Sequence, residues 1–183
     1  MHCSVISLKE IGIVEICSYG DRIREVKIRV GINGAHEGAN DDLTKLIINY
    51  IRGLANAREI LKYISLSPGL LGLAQLAMLS IPRGRVATYS QIARLLNTSP
   101  RAVGRLASAN KLPIIVPCHR VIKSDGSLGG YSIGDVRIKH ALLTMEGVPI
   151  VKGRVSKQYF VSDSVLITNF KELLKLASQG MVI

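Results

Sequence analysis

The chain has 183 residues, 48% of them apolar, with 24 Lys and Arg against 13 Asp and Glu. That length and apolar content suit one domain or two small ones with a proper core and exclude a disordered chain. The longest apolar stretch, "GLLGLAQLAMLSI", is shorter than the roughly 20 residues of a membrane span, and "MHCSVISLKEIG" is not built like a secretion signal. A soluble, cytoplasmic protein is the expectation. The net charge of +11 is localised: residues 1–65 hold nine basic and eight acidic residues, 66–155 twelve and three, and 156–183 three and two. A one-sign field confined to the middle of the chain points to a polyanion, above all nucleic acid.

In chain order, "CSVISL", "GIVEICSY" and "IREVKIRVGI" are rich in Val and Ile, partly alternate, and are separated by turn signals, which predicts a small antiparallel meander. "NGAHEGANDD" follows as a loop. Asp41 or Asp42 then caps a helix whose apolar stripe is Leu43, Ile47, Ile48, Ile51 and Leu54. This first unit carries no phosphate loop or other chemical motif and reads as a structural platform. Three cysteines, Cys3, Cys17 and Cys118, make an odd count without a CxxC pair, so a disulfide framework is not expected. The spacing of Cys3, Cys17, His2 and His36 matches no tight metal-ligand pattern, so no metal is expected.

After the connector "NAREILKYISLSPG", Ser67-Pro68 fits a helix start, and the helix runs over about 69–80 to "IPRGR". "TYSQIARLLNTSPRAVGRLASAN" predicts a helix over about 90–96, a turn "NTS", and a second helix capped by Ser99 with Pro100 at its first position. Arg101 and Arg105 share one face of that second helix. Ala102, Gly104, Ala107 and Ala109 keep it slim enough to approach a groove. With the basic charge around it, this helix-turn-helix pattern predicts DNA binding.

"KLPIIVPCHRVI" then sets a thiol beside an imidazole at the end of an apolar run that reads as a buried strand. Pro117 interrupts any ladder there, and neighbouring residues of a strand point to opposite faces. Cooperation of Cys118 with His119 therefore needs a tight turn or a bridging water. A thiol with a pKa near 8.5 is only a few per cent thiolate at neutral pH, so a base and cationic surroundings are required. A carboxylate to orient the imidazole can come, within 66–155, only from Asp125, Asp135 or Glu146. Asp125 and Asp135 lie in or beside the Gly-rich loop "SDGSLGGYSIGD", and Glu146 follows the apolar helix "RIKHALLTM".

"PCHRV", preceded by "RAVG" and an Asn eight residues before the Cys, and followed by "GGYSIG" and "LLTMEGV", resembles the O6-alkylguanine-DNA alkyltransferases. The "Tyr-Ser" opening the first helix of the pair agrees, and the motifs keep their order over 80–148. The resemblance implies a repair protein that flips O6-alkylguanine out of duplex DNA and takes the alkyl group irreversibly onto its own cysteine, once, as a monomer without a cofactor. It implies Cys118 as acceptor, His119 as base through a water, Glu146 as its orienter and Asn110 as a brace of the turn. Tyr89 would contact the base and donate a proton as guanine leaves. Ser132 and backbone near Tyr131 would hold the O6 edge, and Arg101 would fill the gap in the stack. Ser90, Asn97 and Ser124 would meet phosphates beside Ala102, with Arg120 a structural pin.

The implied fold is α+β: an N-terminal α/β unit (1–65) with a small antiparallel sheet, a helical winged-helix-like DNA-binding unit (66–155), and a partly helical tail (156–183). A winged-helix regulator with an inert Cys118 predicts sequence-specific binding instead. A cysteine hydrolase predicts multiple turnovers and an oxyanion hole that the sequence does not display.

Overall fold

The computed structural model describes residues 2–8, 11–29, 42–131 and 135–180. Residues 33–41, with His36 and Asp41, and Ser132 lie outside the described residues, while Asp42 is the first residue of the helix that follows. Three strands open the chain, β1 (His2–Leu8), β2 (Gly12–Tyr19) and β3 (Arg22–Arg29), in the antiparallel order β1-β2-β3. Alternation puts Ile6, Val14, Ile16, Ile23 and Val26 into the core. Cys3 sits opposite Cys17 in the register, with Cα atoms 4.1 Å apart, and the two sulfurs are bonded. This corrects the expectation of no disulfide. An odd total says nothing about two cysteines that a hairpin register places face to face.

The helix α1 (Asp42–Arg52) buries Thr44, Ile47 and Tyr50, and the Thr44 hydroxyl donates to Ser4 on β1. The predicted stripe is displaced: Leu54 is 75% exposed, while Tyr50, not foreseen, is buried. The reason is local, since the helix ends at Arg52 and Gly53 takes a left-handed φ of 81°, which turns Leu54 away. Asn56 caps the short α2 (Ala57–Leu61) through a reciprocal pair with Glu59.

The helix α3 (Gly69–Leu79) is apolar almost all round and lies at the centre of the molecule, with Gly72 to Leu79 nearly all buried. Its start falls one residue later than the sequence suggests. Pro68 itself is the N-cap and no hydroxyl caps the helix, because Gly69 turns through a φ of 64° and the Ser67 N–H donates to Gln75 Oε1. Next come β4 (Ala87–Thr88), α4 (Tyr89–Leu95) and α5 (Pro100–Ser108). Ser99 caps α5 with Pro100 at its first position, as the sequence predicts, and α4 starts one residue earlier than expected because Thr88 and Gln91 form its capping box. Asn97 makes the turn between them at a φ of 49°.

The apolar run after α5 is not a strand. Pro113 and Pro117 lack N–H groups, and residues 111–117 fold into turns closed by Val116 N–H to Leu112 O. The chain then makes one 3₁₀ turn, Cys118–Arg120, and only afterwards enters β5 (Val121–Ile122), parallel to β4. The helix α6 (Val136–Met145) is capped by Asp135, and β6 (Ile150–Val151) with β7 (Arg154–Val155) makes a small hairpin.

The tail ends in α7 (Asp163–Gln179), capped by Ser162, which buries Leu166, Phe170, Leu173 and Ala177 against α3 and α2. Asp163 accepts from Gln91 and pairs with Arg94 on α4, Asn169 donates to the Ser80 carbonyl, and Glu172 pairs with Arg58 of α2. Among the described residues, no helix is long and apolar enough to cross a membrane.

Candidate active site

Cys118 opens the 3₁₀ turn with 4% of its surface exposed, and its N–H donates to Val116 O. Asn110, buried at the end of α5, braces that turn from inside. Its Nδ2 donates to Val116 O at 3.1 Å, and its Oδ1 accepts from Leu112 N and from Gln75 Nε2. A single amide thus satisfies backbone groups of a loop that no sheet or helix pairs.

Behind the thiol, His119 is 1% exposed and its Nε2 lies 2.8 Å from Glu146 Oε1. Of the three acids the sequence offered, Glu146 is the one that meets the imidazole. Asp125 bonds Ser127 and Arg154 instead, and Asp135 caps α6. Arg120 grips the same carboxylate with two bonds of 2.8 Å, Nε to Oε2 and Nη2 to Oε1, and its Nη1 donates to Ile81 O.

These partners decide the protonation states. Burial opposes the charge on Glu146, but His119 and Arg120 outweigh it and hold the carboxyl well below the usual carboxylate range. An ionised carboxylate only accepts, so His119 must carry its proton on Nε2. Burial also pushes the imidazole pKa down, which keeps it neutral. Nδ1 is left with its lone pair, buried and without a hydrogen-bond partner among the described residues. Burial raises the Cys118 pKa despite the Asn110 side chain and the Lys139 charge, so the resting group is a thiol. The pair is a neutral acid and a neutral base, one residue apart.

The thiol faces a cavity of about 430 Å³ lined by Tyr89, Gly104, Ala107, Ser108, Gly130, Tyr131 and Lys139. Tyr89 is the first residue of α4, so capping of that helix fixes its ring at the rim. Tyr131 lies beside Cys118, its buried hydroxyl next to the thiol. Arg101 and Arg105 are exposed on α5, with Ala102 half-buried between them. Ser90 and Ser124, distant in sequence, meet at 3.2 Å, while Asn97 is exposed at the turn.

Lys139 was not foreseen. It is 1% exposed, donates to the Val121 and Leu128 carbonyls at 2.6 and 2.7 Å, and sits 5.8 Å from the Tyr89 ring centre. Burial lowers its pKa to about 8, the thiol opposing that shift. The available signal was a lysine on the apolar stripe of "RIKHALLTM", between Ile138 and Leu142. For a metal, one group of ligand-type residues lies close together among the described residues, Cys3, Glu15 and Cys17. Its two sulfurs are bonded to each other and Glu15 pairs with Arg29, so it offers no thiolate.

The mixed α/β fold with its helix pair has counterparts among solved DNA methyltransferases. The O6-methylguanine-DNA methyltransferase of Pyrococcus kodakaraensis shares this fold at a TM-score of 0.62 and 27% identity, over 80% of this chain and 98% of that one. A Mycobacterium tuberculosis OGT in complex with DNA matches at 0.66 and 26%, over 91% and 99%. Residues 74–148 match the family model described as 6-O-methylguanine DNA methyltransferase, DNA binding domain. In that segment the chain is similar to the DNA-binding domain of the O6-methylguanine DNA methyltransferases. Methylated-DNA–protein-cysteine methyltransferases of Pyrobaculum aerophilum and Saccharolobus islandicus are 50% identical over 95 residues and 56% over 73. Those matches take in 52% and 40% of this chain, and 60% and 47% of the relatives' own lengths.

Proposed function

We propose that the protein repairs O6-alkylguanine in duplex DNA by moving the alkyl group to Cys118, once per molecule. One observation carries this reading: a neutral thiol at the floor of a cavity, beside an imidazole whose outer nitrogen is fixed by Glu146 and whose inner nitrogen is free to take a proton.

In the proposed reaction the Cys118 proton passes through a water to His119 Nδ1, and the imidazolium is stabilised by Glu146. The sulfur attacks the alkyl carbon, the S–C bond forms as the C–O6 bond breaks, and the electron pair stays on the guanine. Tyr89 supplies the proton that the departing base takes up and is reprotonated from solvent as the imidazolium gives up its own. Balance is complete without an external reductant or cofactor, and a thioether has no route back to the thiol. Arg120 acts by holding Glu146, Asn110 by holding the turn. Ser132 and the backbone near Tyr131 would receive the O6 edge.

On the surface, Ser90, Asn97 and Ser124 would meet phosphates, and the slim face with Ala102 would enter the minor groove. That groove is poor in sequence information, which suits a search for damage in any sequence. The division into units at about residues 65 and 155, action as a monomer, and a cytoplasmic location belong to the same proposal.

The test is the mass of the intact protein and of its peptides after mixing with excess duplex containing one O6-methylguanine. One CH2 on the Cys118 peptide, saturating at one equivalent, is the expected result. Tight lesion binding with no added mass would make this a recognition protein only. Arg101 supplies a second expectation. Extruding a base costs a few kcal/mol, and an inserted side chain offsets part of it. Arg101→Ala should slow transfer from duplex by roughly 10–100-fold, each tenfold being about 1.4 kcal/mol. Reaction with free O6-benzylguanine, which needs no flipping, should stay within about twofold in the same stopped-time assay.

A further inference from the structure

We infer that Tyr50, on the helix α1 of the N-terminal unit, is a positioning residue for the acceptor thiol, an inference that rests on the alkyl transfer proposed above. The N-terminal unit then does more than serve as a platform: it holds the active-site turn in shape.

The turn needs holding. Ile114 adopts a φ of 70°, a left-handed conformation that β-branched side chains avoid and that persists only when its surroundings impose it. Between Leu112 and Cys118 the chain has two prolines and no sheet partner, so its carbonyls must find partners elsewhere. Tyr50 Oη donates to the Ile115 carbonyl at 3.0 Å in a buried contact, next to the strained residue and three residues before the thiol. The same phenol lies beside the Arg120 guanidinium, two residues after the thiol. It therefore touches the turn on both sides of Cys118.

A second contact from the same unit grips the start of the loop. The Val26 N–H, on the edge strand β3, donates to the Lys111 carbonyl at 2.9 Å. Asn110 braces the loop from the other side, through Val116 O. Removing the Tyr50 hydroxyl leaves the Ile115 carbonyl buried without that donor, and the strained backbone is free to relax toward ordinary φ values. The thiol sits on the carbon chain that moves. Near-attack geometry is sensitive to shifts of about 1 Å, so transfer falls even though the thiol, the imidazole and the DNA surface are all intact.

Tyr50→Phe keeps the ring and removes only the hydroxyl. Three readings on the purified full chain decide the matter: transfer rate from an O6-methylguanine duplex, affinity for lesion-free duplex, and amide hydrogen exchange by peptide. We expect transfer to fall at least tenfold, affinity to change less than twofold, and peptides within 112–120 to exchange at least tenfold faster. Amides of the strands β1 to β3 should keep their wild-type rates. Wild-type transfer and wild-type exchange in 112–120 would overturn the inference. So would faster exchange spread evenly over the chain, which marks a general loss of stability. If the wild type itself transfers nothing, the functional reading fails separately, and the exchange pattern still decides whether Tyr50 shapes the turn.

Discussion

Glu146→Gln should lower the melting temperature by on the order of 10 °C and reduce alkyl transfer at the same time. The carboxylate is 9% exposed and accepts three hydrogen bonds, one from His119 Nε2 and two from Arg120. An amide of the same shape removes the charge but leaves the guanidinium, itself 6% exposed, without its counter-ion. Breaking a buried pair by removing one partner costs about 3–5 kcal/mol, and a chain of this length loses roughly 2–4 °C per kcal/mol. The amide also presents N–H groups where Arg120 or His119 needs an acceptor. That frees the imidazole to change tautomer, so that Nδ1 no longer has to keep its lone pair.

A pH series separates the two effects. The folded carboxyl pKa lies below its unfolded value of about 4.3, so its contribution is fully present above that pH and is lost as pH falls through the folded value. The stability gap between wild type and Glu146→Gln, measured by denaturant melts, should therefore be constant above about pH 5 and narrow below about pH 4. A gap that stays unchanged at pH 3 would show that the charge of Glu146 contributes nothing.

Cys118→Ala is expected to transfer no alkyl group and still to bind a lesion-bearing duplex within about threefold of the wild type. The sulfur is one atom at the base of a cavity whose walls come from α4, α5, α6 and the 130–131 segment. Its removal enlarges the cavity slightly and leaves every group proposed to meet DNA in place. Stability should change by about 1 kcal/mol, as for other small deletions in a packed site. Fluorescence anisotropy of a labelled duplex gives the affinity and intact mass gives the transfer. A CH2 still gained by this variant would place the acceptor elsewhere in the chain.

How much of this was legible in the residues depends on whether the information was local. The hairpin strands and the Ser99-Pro100 start of α5 are written in a few neighbouring positions. The Cys118–His119 adjacency and the later acid were visible as residue types, though which acid reaches the imidazole is a matter of three-dimensional packing. The run "PIIVP" misled because apolar content fits a strand and a buried turn equally well, and the partners that hold the turn, Tyr50 and Gln75, lie 65 and 35 residues from their contacts. The Cys3–Cys17 bond depends on register, and burial of Lys139 on carbonyls of two separate segments. Neither is a local property.

The last long helix bears on how such a chain is made. Gln91 caps α4 from within, yet its amide is held by Asp163, 72 residues further along. Arg94 waits for the same carboxylate. At ribosomal speeds of about 5–20 residues per second, those partners emerge roughly 4–14 s after the helix they secure. Through that interval the helix pair exists without its fastening, and α3 exposes the apolar face that Phe170 and Leu173 will cover. The surface carrying Arg101 and Arg105 is thus among the last parts of the molecule to become rigid. Nascent chains arrested before α7 should be protease-sensitive within 87–108, although that segment has long since been synthesised.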